Sequence, residues 1–127
     1  MMDRLKIEQL LRELYAARVR GDLDTVCRLF SNDAKFEIAG ASNTSPTAVT
    51  LAGVDKFRPL LALMIKSFKL SDQAILSMII DGVKAAVHWC ATVHSRITGN
   101  TVITELVDLV EVRDDRIVSY IEFFVAR

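Results

Sequence analysis

Signals for a helix end, a second helix and a first strand follow one another in the segment GDLDTVCRLFSNDAKFEI, residues 21–38. Apolar residues recur at helical spacing from about Leu5 to Arg20, and Gly21, which readily adopts the left-handed conformation, follows them directly. Asp22 can then accept hydrogen bonds from the first free amides of a second helix. Residues 34–39 are predicted to form a strand. This order is typical of a domain in which helices cover a sheet.

The spacing of apolar residues changes along the rest of the chain. Residues 40–50 are rich in Gly, Ser, Asn, Thr and Pro and are predicted to be a loop, and a third helix is predicted over residues 55–68. From Ser71 onward apolar and polar residues alternate, which predicts strands over residues 73–80, 83–96, 101–112 and 116–126. We therefore expect a single α+β domain over residues 1–127, with three N-terminal helices packed on a curved antiparallel sheet.

Neither nucleic acid nor a membrane is a predicted partner of this chain. Its 16 basic and 16 acidic residues balance, so no strong overall field would attract phosphates. The longest apolar run without a charge, residues 74–80, is far too short to span a bilayer. With no secretory signal at the start of the sequence, a cytoplasmic location is predicted.

The order of these elements resembles that of the NTF2-like superfamily, in particular its SnoaL-like and ketosteroid-isomerase-related branch. The resemblance covers nearly the whole chain and rests on short motifs in a fixed order: Gly21-Asp22-Leu23-Asp24, Leu29-Phe30, Asp33-Ala34, Gly53, Asp81-Gly82, Arg116-Ile117-Val118-Ser119 and Glu122-Phe123-Phe124. It implies a cone-shaped domain whose outer sheet face packs on a second subunit. We therefore expect a homodimer through the sheet face, with Leu106, Ile121 and Phe123 turned toward the partner.

The resemblance does not extend to the chemistry of the steroid isomerases. In those enzymes a tyrosine and an aspartic acid donate hydrogen bonds to an enolate, and an aspartate on the first strand moves the proton. The matching positions here are apolar, each beside a suitable polar residue: Leu14 beside Tyr15, Val107 beside Asp108 and Ile38 beside Glu37. Because a shift of one residue turns a strand side chain to the opposite face, steroid isomerisation is not predicted.

Strand alternation, read together with the resemblance, predicts which side chains face the interior of the cone. The predicted ligand pocket comprises Leu14, Tyr15, Ile38, Val87, Trp89, Val107 and Tyr120. Glu105 and Glu122 are predicted to form a carboxylate pair in this apolar cavity, where the pKa of one would rise and give a proton donor beside a proton acceptor. The alternative is that one of these glutamates pairs with Arg18 and the other lies at the solvated rim.

Two functions remain open at this point. The first is a small enzyme that performs acid–base chemistry (isomerase, cyclase or hydratase type) on an apolar carbonyl-containing metabolite, with no cofactor. The second is a non-catalytic domain that binds an apolar ligand or dimerises. No metal site is predicted, because His88 and His94 are too far apart along one strand to share an ion and no metal-binding motif is present.

Overall fold

The computed structural model describes residues 3–39 and 49–125. Three helices and a six-stranded curved sheet form an α+β fold. The elements in chain order are α1 (Arg4–Arg20), α2 (Leu23–Arg28), β1 (Phe30–Ala39), β2 (Val49–Ala52), α3 (Val54–Ser67), β3 (Phe68–Asp81), β4 (Lys84–Ser95), β5 (Thr101–Arg113) and β6 (Arg116–Phe124).

The predicted boundary between the first two helices is confirmed. Gly21 has a φ of 72° and closes α1 by donating its amide to the carbonyls of Ala17 and Arg18. One residue later, Asp22 accepts a hydrogen bond from the Thr25 amide at the start of α2. Both caps are local interactions, which is why residues within a few positions of the boundary were enough to predict them.

The prediction of three N-terminal helices is wrong in one respect. Only α1 and α2 precede the sheet, because β1 and β2 come before α3. Strand β2 has four residues and pairs antiparallel with β1, in a register that joins Lys35 to Ala52. Such a short strand carries too little alternation to be recognised beside a segment rich in loop-forming residues. Most of the predicted loop, residues 40–48, lies outside the described residues.

The sheet is not antiparallel throughout. Its strand order is β2-β1-β6-β5-β4-β3, and β1 runs parallel to β6 while the other neighbours are antiparallel. The register joins Val87 of β4 to Asp108 of β5, and Asp108 to Glu122 of β6. Residues paired in this way point to the same face of a sheet. These three side chains therefore share one face.

That inner face packs against the helices and forms the core. Val87 and Trp89 are fully buried there, together with Leu11 and Leu14 of α1. A group of aromatic rings fills the space near β1: Phe30, Phe36, Phe57 and Tyr120. The rings of Phe36 and Tyr120 stack with centroids 5.6 Å apart, which fixes where the Tyr120 hydroxyl points.

Within the described part of the chain, none of the helices combines the length and the apolar character needed to cross a bilayer.

Candidate functional site

A cavity of about 610 Å³ lies between the helices and the inner face of the sheet. Its described lining is mostly apolar, comes largely from α3 and the strands, and includes Leu61, Met64, Phe68, Val93, Leu106 and Phe124. Only two of the described lining residues are charged, Arg18 of α1 and Glu122 of β6. Trp89 also lines the cavity. The arrangement is that of a site for an apolar molecule with one polar point of attachment.

Arg18 and Glu122 form a nearly bidentate ion pair. Arg18 Nη1 lies 2.6 Å from Glu122 Oε2, and Nη2 lies 3.4 Å from Oε1. The guanidinium also rests over the Trp89 ring, 5.2 Å from its centroid. Burial by itself would raise the pKa of Glu122, but the charge and hydrogen bonds of Arg18 outweigh it, so the pKa is lowered. Glu122 is therefore ionised at neutral pH.

A second buried acid, Asp108, lies behind this ion pair. Its Oδ2 accepts hydrogen bonds from the Tyr15 hydroxyl at 2.6 Å, from Trp89 Nε1 at 2.8 Å and from the Tyr120 hydroxyl. Its other oxygen, Oδ1, has no hydrogen-bond partner among the described residues. The side chain is fully buried. Asp108 thus joins α1, β4 and β6 through a single carboxyl oxygen.

The Tyr120 hydroxyl connects the two acids. It contacts Asp108 Oδ2 on one side and lies 3.3 Å from Glu122 Oε2 on the other. Arg18 Nη1 donates a hydrogen bond to the same hydroxyl oxygen over 3.1 Å. A phenol has one proton to donate, so Tyr120 can serve only one of the acids at a time. The two carboxyl groups and the guanidinium therefore belong to one connected network.

The network holds one cation and two acids, and the pKa values of the two acids are shifted in opposite directions. Burial, and then the negative charge of Glu122, raise the pKa of Asp108 well above its usual value, although Arg18 and the two tyrosine hydroxyls act in the other direction. Burial and the neighbouring Asp108 also raise the pKa of both Tyr15 and Tyr120, which remain phenols. Because one guanidinium cannot balance two buried negative charges, the pKa of Asp108 rises while that of Glu122, the acid in contact with Arg18, falls.

The predicted pair of Glu105 and Glu122 is not formed, which corrects that prediction. Glu105 pairs with Cys90 across the sheet and lies on the outer face, where its Oε2 is 2.7 Å from Nε2 of His88. Val107, predicted to line the pocket, lies on the same outer face. Both errors have one cause: β5 carries apolar residues on both faces, so its alternation did not show which face is inward. The two acids that the inner face brings into one network are Asp108 and Glu122.

The same one-residue error affects Leu106, which was predicted to face a partner subunit. Leu106 pairs with Trp89, is 3% exposed and lines the cavity. Ile121 and Phe123 do lie on the outer face, on either side of the inward Glu122.

The remaining predicted pocket residues divide into two groups. Trp89 lines the cavity, as predicted. Leu14, Tyr15, Val87 and Tyr120 are buried in the core and Ile38 packs against it half-buried, but none of these five is among the described lining residues.

Arg18 and Asp108 are the site residues that the sequence analysis did not assign to the pocket. Arg18 appeared only as an alternative ion-pair partner, and Asp108 was assigned to the outer face. An arginine three residues after Tyr15 on the same helix, and an acid within the apolar run of β5, are the signals that could have indicated them. No three His, Cys, Asp or Glu side chains of the described residues are grouped closely enough to hold a metal ion.

Several solved structures share this fold. A candidate isomerase from Bacillus subtilis superposes with a TM-score of 0.85 at 21% identity, over 98% of this chain and 90% of that one. An LEH-like epoxide hydrolase from M. tuberculosis has a TM-score of 0.77 at 19% identity, over 95% and 84% of the two chains. A candidate polyketide cyclase from Xanthomonas campestris has a TM-score of 0.75 at 20% identity, over 96% and 92%. At these identities the likeness shows the fold.

The sequence profile of the SnoaL-like domain matches residues 11–120, whereas no curated protein matches the chain. The matched segment runs from α1 to β6 and includes Arg18, Trp89 and Asp108. Profile and fold agree over most of the chain, and the protein therefore belongs to the SnoaL-like domain family of the NTF2-like superfamily.

Proposed function

We propose that this protein is an enzyme that binds an apolar, carbonyl-containing small molecule in its cavity and moves a proton on it without a cofactor. Glu122 is the proton acceptor and Arg18 stabilises the negative oxygen. One observation carries the proposal: the two charged side chains among the described lining of an apolar cavity are a carboxylate and a guanidinium in contact with each other. A base beside a cation is what enolate formation requires.

The proposed step needs no other reactant. The Glu122 carboxylate takes a proton from the carbon next to the carbonyl, and the electron pair of that C–H bond moves onto the carbonyl oxygen. The resulting enolate oxygen accepts hydrogen bonds from Arg18. In a substrate with a C=C bond conjugated to the enolate, return of the proton to the far carbon of that bond completes an isomerisation. Attack of the enolate carbon on a second carbonyl, with protonation of the new alkoxide, completes a cyclisation.

Arg18 lowers the pKa of Glu122 and so makes it a weak base for as long as the ion pair is intact. The contact from Nη2 to Oε1, at 3.4 Å, is the longer of the two and the easier to exchange. A carbonyl oxygen that accepts this hydrogen bond would leave Glu122 with less stabilisation in an apolar surrounding. Its pKa would then rise toward the range in which carboxylates act as bases. Substrate binding would thus activate the acceptor.

The names of the structural neighbours support a small-molecule reaction in a cavity of this fold, since they include isomerase, polyketide cyclase and epoxide hydrolase. The second candidate function is binding without catalysis. The existing Arg18–Glu122 pair favours it, because two charges that already balance each other need no substrate to explain them.

Hydrogen–deuterium exchange distinguishes the two functions. β-Tetralone, an apolar ketone with acidic protons next to its carbonyl, is incubated with the protein in D₂O, and exchange is followed by NMR. We expect exchange faster than in buffer, abolished by Glu122→Gln and retained by Glu105→Gln, a matched control on the outer face. Circular dichroism and a thermal shift with β-tetralone verify that Glu122→Gln folds and binds. Binding by the wild type with exchange at the buffer rate would contradict the catalytic proposal and leave the binding function.

A further inference from the structure

A second concavity, of about 500 Å³, borders the apolar cavity. It lies where the end of α1 meets the end of α3 and the start of β3. Arg18, Ile65, Phe68 and Leu70 line both spaces, so the two are neighbours along these residues. A molecule seated in the cavity can therefore have one end close to the second concavity.

The charges of this concavity are all of one sign. Its ten described lining residues include five cations and no acid, the cations being Arg18, Arg20, Lys66, Lys69 and Arg96. The chain as a whole has 16 basic and 16 acidic residues. The excess is therefore a local feature and does not follow from the overall charge.

Three of these cations already have partners. Arg18 is paired with Glu122, and Arg20 Nη2 lies 3.3 Å from Asp22 Oδ2. The Arg96 guanidinium donates to the carbonyl oxygens of Ile65 and Lys66 at 2.9 and 3.1 Å, which holds it at the C-terminal end of α3. These contacts fix the position of the three charges around the concavity.

Lys66 and Lys69 are exposed, and neither makes an ion pair with any of the described residues. Lys66 belongs to the last turn of α3 and Lys69 is the second residue of β3, so their ammonium groups are carried on adjacent elements. They are the two charges available to an incoming anion.

We propose that this basic concavity binds the anionic head group, a carboxylate or a phosphate, of an amphipathic ligand whose apolar part occupies the cavity. The inference rests on the proposed function in so far as the cavity binds an apolar molecule. Burial of the apolar part in the cavity provides most of the affinity, because removing apolar surface from water is favourable. The head group determines which end of the ligand lies next to Arg18. Single exposed ion pairs are weak and screened by salt, so several cations around one concavity are needed for this selection.

Matched ten-carbon probes test the proposal. Decanoate, decyl phosphate and decanol share an apolar chain and differ in charge, and their affinities are measured by isothermal titration calorimetry. We expect at least one anion to bind roughly tenfold more tightly than decanol at low salt. This ratio corresponds to the combined contribution of two exposed ion pairs. Lys66→Ala/Lys69→Ala should remove this preference and leave decanol binding unchanged. The control Lys6→Ala/Lys35→Ala changes the net charge equally at exposed lysines outside both spaces and should retain the preference.

Each outcome has a distinct meaning. The more tightly bound anion identifies the head group as a carboxylate or a phosphate. Equal affinity for all three probes would overturn the head-group site while leaving the cavity as a binding site. An equal loss of preference in the control variant would overturn it too, because the attraction would then be to the charge of the whole protein. If decanol also failed to bind, the apolar cavity itself, and with it the proposed function, would be contradicted.

Discussion

The Tyr15 hydroxyl oxygen lies 2.6 Å from Oδ2 of Asp108, in a contact that joins α1 to β5 inside the core. The two residues are 93 positions apart in the chain, and both are fully buried. The tilted contact between the Tyr15 and Trp89 rings, with centroids 5.1 Å apart, holds the hydroxyl in place. This single hydrogen bond therefore couples the orientation of the first helix to the buried acid behind the cavity.

Replacing Tyr15 with Phe should lower the free energy of unfolding by about 1–2 kcal/mol. The substitution keeps the ring contacts but removes one of the three donors to Asp108 Oδ2, and a lost buried hydrogen bond costs about this much. Urea denaturation at neutral pH measures the change. An unchanged unfolding midpoint would mean that the hydroxyl makes no net contribution to stability.

Asp108→Asn should stabilise the protein increasingly as the pH rises from 5 to 8, relative to the wild type. The pKa of Asp108 is raised in the folded state by burial and by Glu122, so above the pKa of an unfolded aspartate, about 3.9, the folded chain holds a proton that the unfolded chain has lost. The contribution of Asp108 to the stability of the wild type therefore falls as the pH rises. Asparagine does not titrate, so the variant lacks this decrease. Glu122, with its lowered pKa, is ionised in both states above about pH 5 and adds no slope there.

Urea denaturation of the variant and the wild type at several pH values checks this prediction. A difference in stability that stays constant from pH 5 to 8 would show that Asp108 is ionised in the folded protein.

Trp89→Ala should cost about 3–5 kcal/mol of stability, the usual cost of truncating a large buried aromatic side chain. The ring is 1% exposed, packs against Tyr15 and donates its Nε1–H to Asp108. Trp89→Phe retains an aromatic ring and loses only the donor and part of the volume, so its cost should be clearly smaller. Thermal unfolding of both variants measures the difference, and equal losses would mean that the ring contacts contribute little.

Local signals predicted some element ends closely and missed others, since β1 begins at Phe30 and β3 at Phe68, four and five residues before their predicted starts. The first helix was predicted to end at Arg20 and does so, because its end is encoded by the adjacent Gly21. The strand predicted over residues 101–112 is observed as Thr101–Arg113. The short β2 and the parallel pairing of β1 with β6 were not predicted. Pairing between distant strands depends on contacts that no local pattern contains.

Which side chains form the site depends on which face of each strand is inward, and for β5 the sequence did not predict that face correctly. Trp89 and Glu122 were predicted to face inward from strand alternation read together with the family resemblance, and both are buried on the inner face. In β5, Leu106 and Val110 on one face and Val107 and Leu109 on the other are equally apolar. Only the packing against Trp89 decides between them, and it turns Asp108 inward and Glu105 outward. An error of one residue in the predicted facing of β5 thus placed Glu105 in the site instead of Asp108.

A homodimer through the outer sheet face remains a prediction, now with a corrected set of residues. Leu109 pairs with Ile121 and Val107 with Phe123 on that face, and Leu109 and Phe123 are 42% and 38% exposed. We expect light scattering to report a dimer at micromolar concentration, since such a patch is costly to leave in water. Leu109→Lys/Phe123→Lys should give a folded monomer. Leu63→Lys on α3, at a residue that is 59% exposed, is the control and should remain dimeric. A monomeric wild type would contradict the prediction.

A double-mutant cycle on Arg18 and Glu122 should show strong coupling between them. Glu122→Leu leaves a guanidinium with 13% side-chain exposure without its carboxylate, and Arg18→Met leaves a fully buried carboxylate without its cation. Breaking such a pair from either side costs about 3–5 kcal/mol, because an uncompensated charge stays in the interior. The double variant removes both charges and replaces them with apolar side chains, so its loss should be well below the sum of the two single losses. Urea denaturation of all four proteins at neutral pH measures the coupling, and additive losses would show that the two residues contribute independently.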